Sequence, residues 1–239
     1  IMNEEKLYRM INEKEGFVSL AFPALMRKVY VWMTLALVIT GLTAYGIANS
    51  PGLFYAIVSN HFLFWGLVIG EFALVLGINS AIHRLSITTA TLLFILYSVV
   101  NGATLSVIFM VYALTSIANV FFITAGTFAV MAFIGYTTKK DLTSLGRMLF
   151  MGLIGIIIAT VVNIFLGSSM LNMIVSYVGI LVFIGLTAYD SQKIKRLLYT
   201  ADSTDESAQK IALLGSLTLY LDFINLFLML LRIFGGNRN

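Results

Sequence analysis

Three acidic residues stand in stretches that are otherwise apolar: Glu71, Asp190 and Asp222. Asp190 lies in GLTAYDSQKIK and Asp222 in LGSLTLYLDFINLFLMLLRIFG. A charge at a bilayer centre costs roughly 2.5–3.5 kcal/mol on insertion scales, so such residues face protein or water and mark a functional site. Asp190 and Asp222 belong to consecutive apolar segments, and their carboxyls meet if those segments pack together. Two carboxyls in contact cannot both ionise cheaply, so the pair shares a proton. Such a pair joins two helices by a hydrogen bond and releases them when its protonation changes. Its oxygens are also hard ligands suited to Ca²⁺. The chemistry expected is a proton-sensitive cation path. Asp190 and Asp222 are its sensing and gating pair and the candidate ligands of a transient calcium ion. Glu71 is expected to add a third oxygen and Asn225 to support the path. Arg84, near the end of the segment that carries Glu71, is expected to compete as a counter-ion.

Plainer roles stand beside these. Asp190 alone can sit at the membrane edge and pair with Lys193 or Arg196. Asp222 can be structural. Glu71 can pair with Arg84 or with a backbone donor. Trp32, Trp65 and Tyr45, near span ends, read as interface anchors.

The elements that must position these residues follow from composition. Of 239 residues, 59% are hydrophobic and 11% charged, with a mean hydropathy of +0.95. A soluble domain carries about 25% charged residues, so the chain reads as an all-α integral membrane protein. A spanning helix needs about 20 mostly apolar residues. Seven stretches qualify: Val29–Ala48, His61–Ile82, Ile87–Leu114, Asn119–Thr138, Met148–Leu166, Asn172–Asp190 and Ile211–Phe234. Residues 1–28 form a polar tail, in which Leu7, Met10 and Ile11 have the spacing of an amphipathic surface helix. Residues 29–239 form a single seven-helix transmembrane domain. No cleavable signal peptide is expected, because the first residues are charged and no cleavage site follows an early apolar run. With no Cys and only His61 and His83, neither a disulfide nor a histidine-built metal centre is expected. No tightly bound cofactor is expected either.

The basic residues set the orientation. They lie in the tail, after the second span (Arg84), between the fourth and fifth (Lys139, Lys140, Arg147) and between the sixth and seventh (Lys193, Lys195, Arg196, Lys210). The intervening loops, 49–60, 115–118 and 167–171, have no Lys or Arg. One side is therefore basic and should be cytoplasmic, with the N-terminus inside. The net charge of +4 reflects these loops rather than nucleic-acid binding. Seven full spans put Arg232 and Arg238 outside, against the trend; a re-entrant last segment puts them inside.

In the last span, Gly215, Thr218, Asp222, Asn225 and Arg232 fall near one helical face. The rest of that helix is hydrophobic all round, as for a helix enclosed by others. It is placed at the bundle centre. Small residues four apart in the third span (Ser98, Gly102, Ser106) and a stripe in the fifth (Gly152, Gly155, Ala159, Asn163) read as packing seams.

AYDSQKIK at 188–195 and LYLDFINLFLMLLRIFG at 219–235 resemble the signature of the Bax-inhibitor family, the transmembrane Bax-inhibitor-motif proteins. KKDLTSLG at 139–146 and the glutamate-bearing second span also fit. The resemblance covers the chain from about Arg27 onward. It implies a bacterial member in the inner (plasma) membrane, a seven-helix bundle with the last helix central, and a pH-sensitive calcium leak controlled by an aspartate pair. The family pair falls on Asp190 and Asp222, its second-span acid on Glu71, and its partner arginine on Arg84. The linker 199–209 is longer and more acidic than in a compact bacterial member. Beyond the bilayer, calcium ions and protons, a membrane-protein partner such as a protease or a cell-death factor is a second reading. A third is an intramembrane aspartyl protease, in which two carboxyls share a proton. That family needs Gly-x-Gly-Asp, where this chain has Leu219, Tyr220, Leu221 and Asp222, and a late Pro-Ala-Leu, where no Pro follows Pro51.

Overall fold

The computed structural model describes residues 4–199 and 205–236, with side chains described from residue 21 onward. The described elements are all helices: α1 (Glu4–Ala48), α2 (Pro51–Ser59), α3 (His61–Ala81), α4 (Ile87–Leu105), α5 (Ile108–Val111), α6 (Leu114–Thr137), α7 (Thr143–Leu166), α8 (Ser169–Tyr199) and α9 (Glu206–Phe234). Seven stretches are long and apolar enough to cross a membrane, with α4 and α5 forming one. The protein is a multi-pass helical membrane bundle. In hydrocarbon each backbone N–H and C=O must be satisfied within its own segment, and the helix does this. The breaks between helices are chemically marked. Asn60 accepts the Leu63 N–H at 3.1 Å to start α3, and Ser86 accepts that of Thr89 at 3.1 Å to start α4. Gly167, with φ of 60°, ends α7 in the left-handed conformation that glycine takes most easily.

Several expected boundaries move. The apolar part of α1 begins at Ala21, not Val29. Leu25, Met26 and Val29 are buried while Arg27 and Lys28 are exposed, so two charges on the outer face of a helix had the look of a tail. The side chains of Leu7, Met10 and Ile11, and Arg238, lie outside the described residues. The fourth span starts at Leu114 and the fifth at Thr143. The sixth does not end at Asp190 but runs on to Tyr199. Trp32 packs against the core rather than standing as an interface anchor.

The last helix is central. Of the seven spanning stretches α9 is the most buried, and it packs against α8, α1, α6 and α4. It crosses the bundle completely. At its far end Ala113 N–H donates to Gly236 O at 3.1 Å, and Arg232 Nη1 donates to Asn172 Oδ1 at 3.0 Å. Asn172 opens α8, and Ala113 precedes α6, both remote from the basic connections. The re-entrant alternative is therefore excluded.

The third-span seam is a close contact with α1: a Cβ on Gly102 would stand 2.6 Å from Thr40 O. The fifth-span stripe is corrected. Gly152 meets Val182, but Gly155 has open space beside it. The tight contacts of α7 on α8 are Gly146 against the Tyr189 ring and Leu149 against Gly185.

Candidate functional site

The site begins with the mounting of α8. On one side, Gly135 of α6 lies against the Ala188 backbone; on another, Gly146 of α7 lies against Tyr189. These two contacts immediately precede Asp190. Just beyond it, Gln192 clamps the α6–α7 connection: its Nε2 donates to Lys140 O at 2.7 Å and its Oε1 accepts the Leu142 N–H at 2.9 Å. Lys195 donates to Tyr136 O at 2.7 Å and lies over the Tyr136 ring. Arg196 pairs with Asp141 at 2.9 Å. The Thr143 hydroxyl and N–H also donate to Asp141, and with Arg196 they hold its carboxyl down at about 2. The KKDLTSLG and AYDSQKIK stretches are thus two halves of one joint.

Opposite this mounting, α9 presents Asp222. Asp190 and Asp222 are 8% and 5% exposed, and their carboxyls face each other within hydrogen-bonding reach. No N–H or O–H donor among the described residues reaches Asp222 Oδ2. A hydrogen bond between two carboxyls needs a proton on one of them. The edge-of-membrane pairing of Asp190 is not what forms: Arg196 is engaged by Asp141, and Lys193 lies one turn further on, close enough for its charge to attract that of Asp190.

Both carboxyls line a cavity of about 1280 Å³. α3 packs chiefly on α4, and α7 chiefly on α8. The cavity occupies the gap between α3 and α7, with α9 as its back wall. Thr218, Asp222 and Asn225 of the expected polar stripe line it, while Gly215 packs on Ile194 and Arg232 binds Asn172. Asn225 Nδ2 is held by Leu221 O at 2.8 Å.

Glu71 lines the same cavity but does not join the pair. Among the described residues, no three acidic or histidine side chains come together, so the expected third oxygen is corrected. Glu71 takes Asn101 Nδ2 on Oε2 at 3.1 Å and the Thr104 hydroxyl on Oε1. The Tyr220 hydroxyl donates to Asn101 Oδ1 at 2.9 Å and lies 2.7 Å from the Thr40 hydroxyl. Arg84 is corrected too. It is exposed in the turn after α3, thirteen residues beyond Glu71 or about 20 Å along the axis, and forms an ion pair with none of the three acids. Gln192, Asn101, Thr104 and Tyr220 were not singled out from the sequence. Asn101 offered a signal, being an amide in mid-span.

Residues 23–239 match the family described as "Inhibitor of apoptosis-promoting Bax1". The chain is 50% identical over 214 residues to the inner membrane protein YbhL of Escherichia coli, covering 89% of this chain and 92% of that one. It is 46% identical over 214 residues to a protein of Borreliella burgdorferi, covering 90% and 92%. A protein of Rickettsia prowazekii is 42% identical over 216 residues, with 90% of each chain covered.

Proposed function

The chain belongs to the Bax-inhibitor family, and from that premise we propose that it is a pH-sensitive leak for calcium and similar cations, with Asp190 and Asp222 as both gate and proton sensor. One observation carries this reading: two buried carboxyls face each other on the wall of a cavity inside a membrane bundle. With one proton between them the pair carries a single negative charge and latches α8 to α9. With none, two like charges face each other where water is scarce, a state that repels itself unless a cation intervenes. A divalent ion with oxygen ligands is the natural counter-charge. Protons and calcium then compete for one site, and competition is what makes a leak respond to pH. Glu71 adds a further negative group along the same cavity. The basic connections, including the joint around Gln192, face the cytoplasm, and the N-terminus with them.

The test is calcium flux into dye-loaded liposomes holding the purified protein, from about pH 5 to about pH 8. The native protein is expected to pass calcium with a pH-dependent rate. Asp222→Asn, which keeps the shape and removes the titration, is expected to abolish the pH dependence. A native flux no greater than that of protein-free vesicles, or an Asp222→Asn profile identical to the native one, defeats the reading.

A further inference from the structure

Two long helices of the bundle do not close on each other. α3 packs chiefly on α4 and α2, α7 packs chiefly on α8, and the cavity opens between them. The walls of that gap are apolar: Val68, Phe72 and Val75 from α3, and Phe150, Met151 and Ile157 from α7. Phe72, Phe150, Met151 and Ile157 are exposed. Counted from the helix ends on the basic side, Ala81 and Thr143, these six residues lie about 9 to 21 Å in. One leaflet of the hydrocarbon core is about 15 Å deep. The gap is therefore an apolar slot with the reach of one acyl chain.

The mouth of the slot has a different chemistry. Arg147, four residues into α7, and Lys193, one turn beyond Asp190 on α8, both line it, together with Ser144. Both cations are exposed. Among the described residues Arg147 forms no ion pair. Lys193 only approaches the Tyr189 ring, at 6.0 Å, and feels the charge of Asp190. Asp190 lies one turn deeper, so the Lys193 ammonium is on the mouth side of it. Other cations of this face are already engaged: Lys195 by the Tyr136 carbonyl, Arg196 by Asp141 and Lys210 by Glu206.

We propose that the gap between α3 and α7 binds one anionic phospholipid from the leaflet on the basic side, with its phosphate on Arg147 and Lys193 and an acyl chain between the two helices. Any lipid can lie against an apolar helix. What singles out this gap is a pair of cations at the level of the phosphates, above a slot of matching depth; basic pockets between spanning helices select anionic head groups in this way. The lipid supplies the wall that the protein leaves out. It covers the side on which Glu71, Asp190 and Asp222 would otherwise meet mobile hydrocarbon, an expensive exposure for any charge. The proposal stands whether or not the cavity passes cations.

Native mass spectrometry of the detergent-solubilised full chain, given phosphatidylglycerol and phosphatidylcholine with matched acyl chains in equal amounts, reads the head-group preference. One phosphatidylglycerol is expected to stay bound, favoured over phosphatidylcholine by roughly tenfold or more, since two cations act on its phosphate. Arg147→Gln with Lys193→Gln should bring that ratio to within about twofold of one. Arg147→Gln alone, with an expected loss of about threefold or more, serves if the double variant does not fold. Lys139→Gln with Lys140→Gln removes the same charge from the same face but away from the gap, and should leave the ratio unchanged. The tail is located separately. The chain has no Cys, so Met151→Cys carries a single small fluorophore in the gap, and Val130→Cys carries one on the exposed face of α6. In phosphatidylcholine vesicles with a minor share of brominated lipid, brominated phosphatidylglycerol should quench the Met151 label more than brominated phosphatidylcholine does, with no such preference at Val130. A native ratio near one overturns the proposal, as does an equal fall in the Lys139 and Lys140 variant or equal quenching by the two lipids at Met151. A second copy of the chain in the gap, seen as a dimer that phosphatidylglycerol does not dissociate, overturns it as well.

Discussion

Gln192→Ala removes both arms of the clamp beside Asp190. The native side chain satisfies Lys140 O at 2.7 Å and the Leu142 N–H at 2.9 Å, and Gln192 itself is 4% exposed. Each such bond contributes about 0.5–1.5 kcal/mol net. The Leu142 N–H and Lys140 O sit at the end of the bundle, where water replaces part of what is lost. Loss of both bonds is therefore expected to favour opening of the connection by about 1–3 kcal/mol, which is an acceleration of roughly 5- to 150-fold in Leu142 amide exchange. Gln192→Glu is an internal control. Its carboxylate still accepts from Leu142 but has nothing to donate to Lys140 O, so exchange at Leu142 should rise far less. Hydrogen exchange by mass spectrometry on the detergent-solubilised protein, resolved to the segment containing Leu142, reads both. If Gln192→Ala leaves that exchange within about twofold of native, below the smallest effect a single bond should have, then the clamp contributes nothing and the account of how Asp190 is mounted is wrong.

Other outcomes follow from the same geometry. Gly135→Ala drives a Cβ into the Ala188 backbone, which cannot step aside as a flexible side chain would; a loss of about 1–3 kcal/mol or more is expected, read as a lowered thermal midpoint in detergent. Gly155→Ala, with open space at its Cβ, should instead hold or raise that midpoint, since alanine favours a helix by up to about 1 kcal/mol over glycine. Asp141 titrates near 2 in the folded protein against an ordinary 3.8. The hydrogen bonds from Thr143 and the ion pair with Arg196 therefore stabilise fully above about pH 4 and fade as the pH falls towards 2. Asp141→Asn should leave the pH profile of calcium flux unchanged between about pH 5 and 8, and should converge with the native protein in thermal midpoint only in strong acid.

The sequence made the membrane bundle legible because hydrocarbon imposes one rule on every residue of a span. It made the aspartate pair legible for the same reason, since two carboxylates in apolar runs need each other or water. Arg84 went astray because a charge near a span end was read by its proximity in the chain. Thirteen residues of helix separate it from Glu71, and the neighbours of Glu71 come from α4 instead. The end of the sixth span was placed at Asp190 because charges begin there. Lys195 and Arg196 continue the helix by binding the Tyr136 carbonyl and Asp141, partners that appear only once α6 and α7 have folded back. The role of Gln192 was hidden in the same way. Its two partners lie 52 and 50 residues away, and no local pattern relates an amide to a distant loop.

A carboxyl pair reports a proton only when something moves against a fixed frame. Here the frame is α8. Close glycine contacts bind it to α6 and α7 just before Asp190, and three side chains bind its basic end to the end of α6 and the α6–α7 connection. α9 is little freer, since it is the most buried of the spans and Gly236, just past its end, is bonded to the start of α6. The cavity has two other walls, α3 and α7, and of these α7 is joined to α8 through the packed surfaces of Gly146 and Leu149. α3 is different. It leans chiefly on α4 and α2, and its polar attachment to another helix is through Glu71. The hydrogen-bonded run from Glu71 through Asn101 to Tyr220 joins that wall to the helix whose other side holds half of the carboxyl pair.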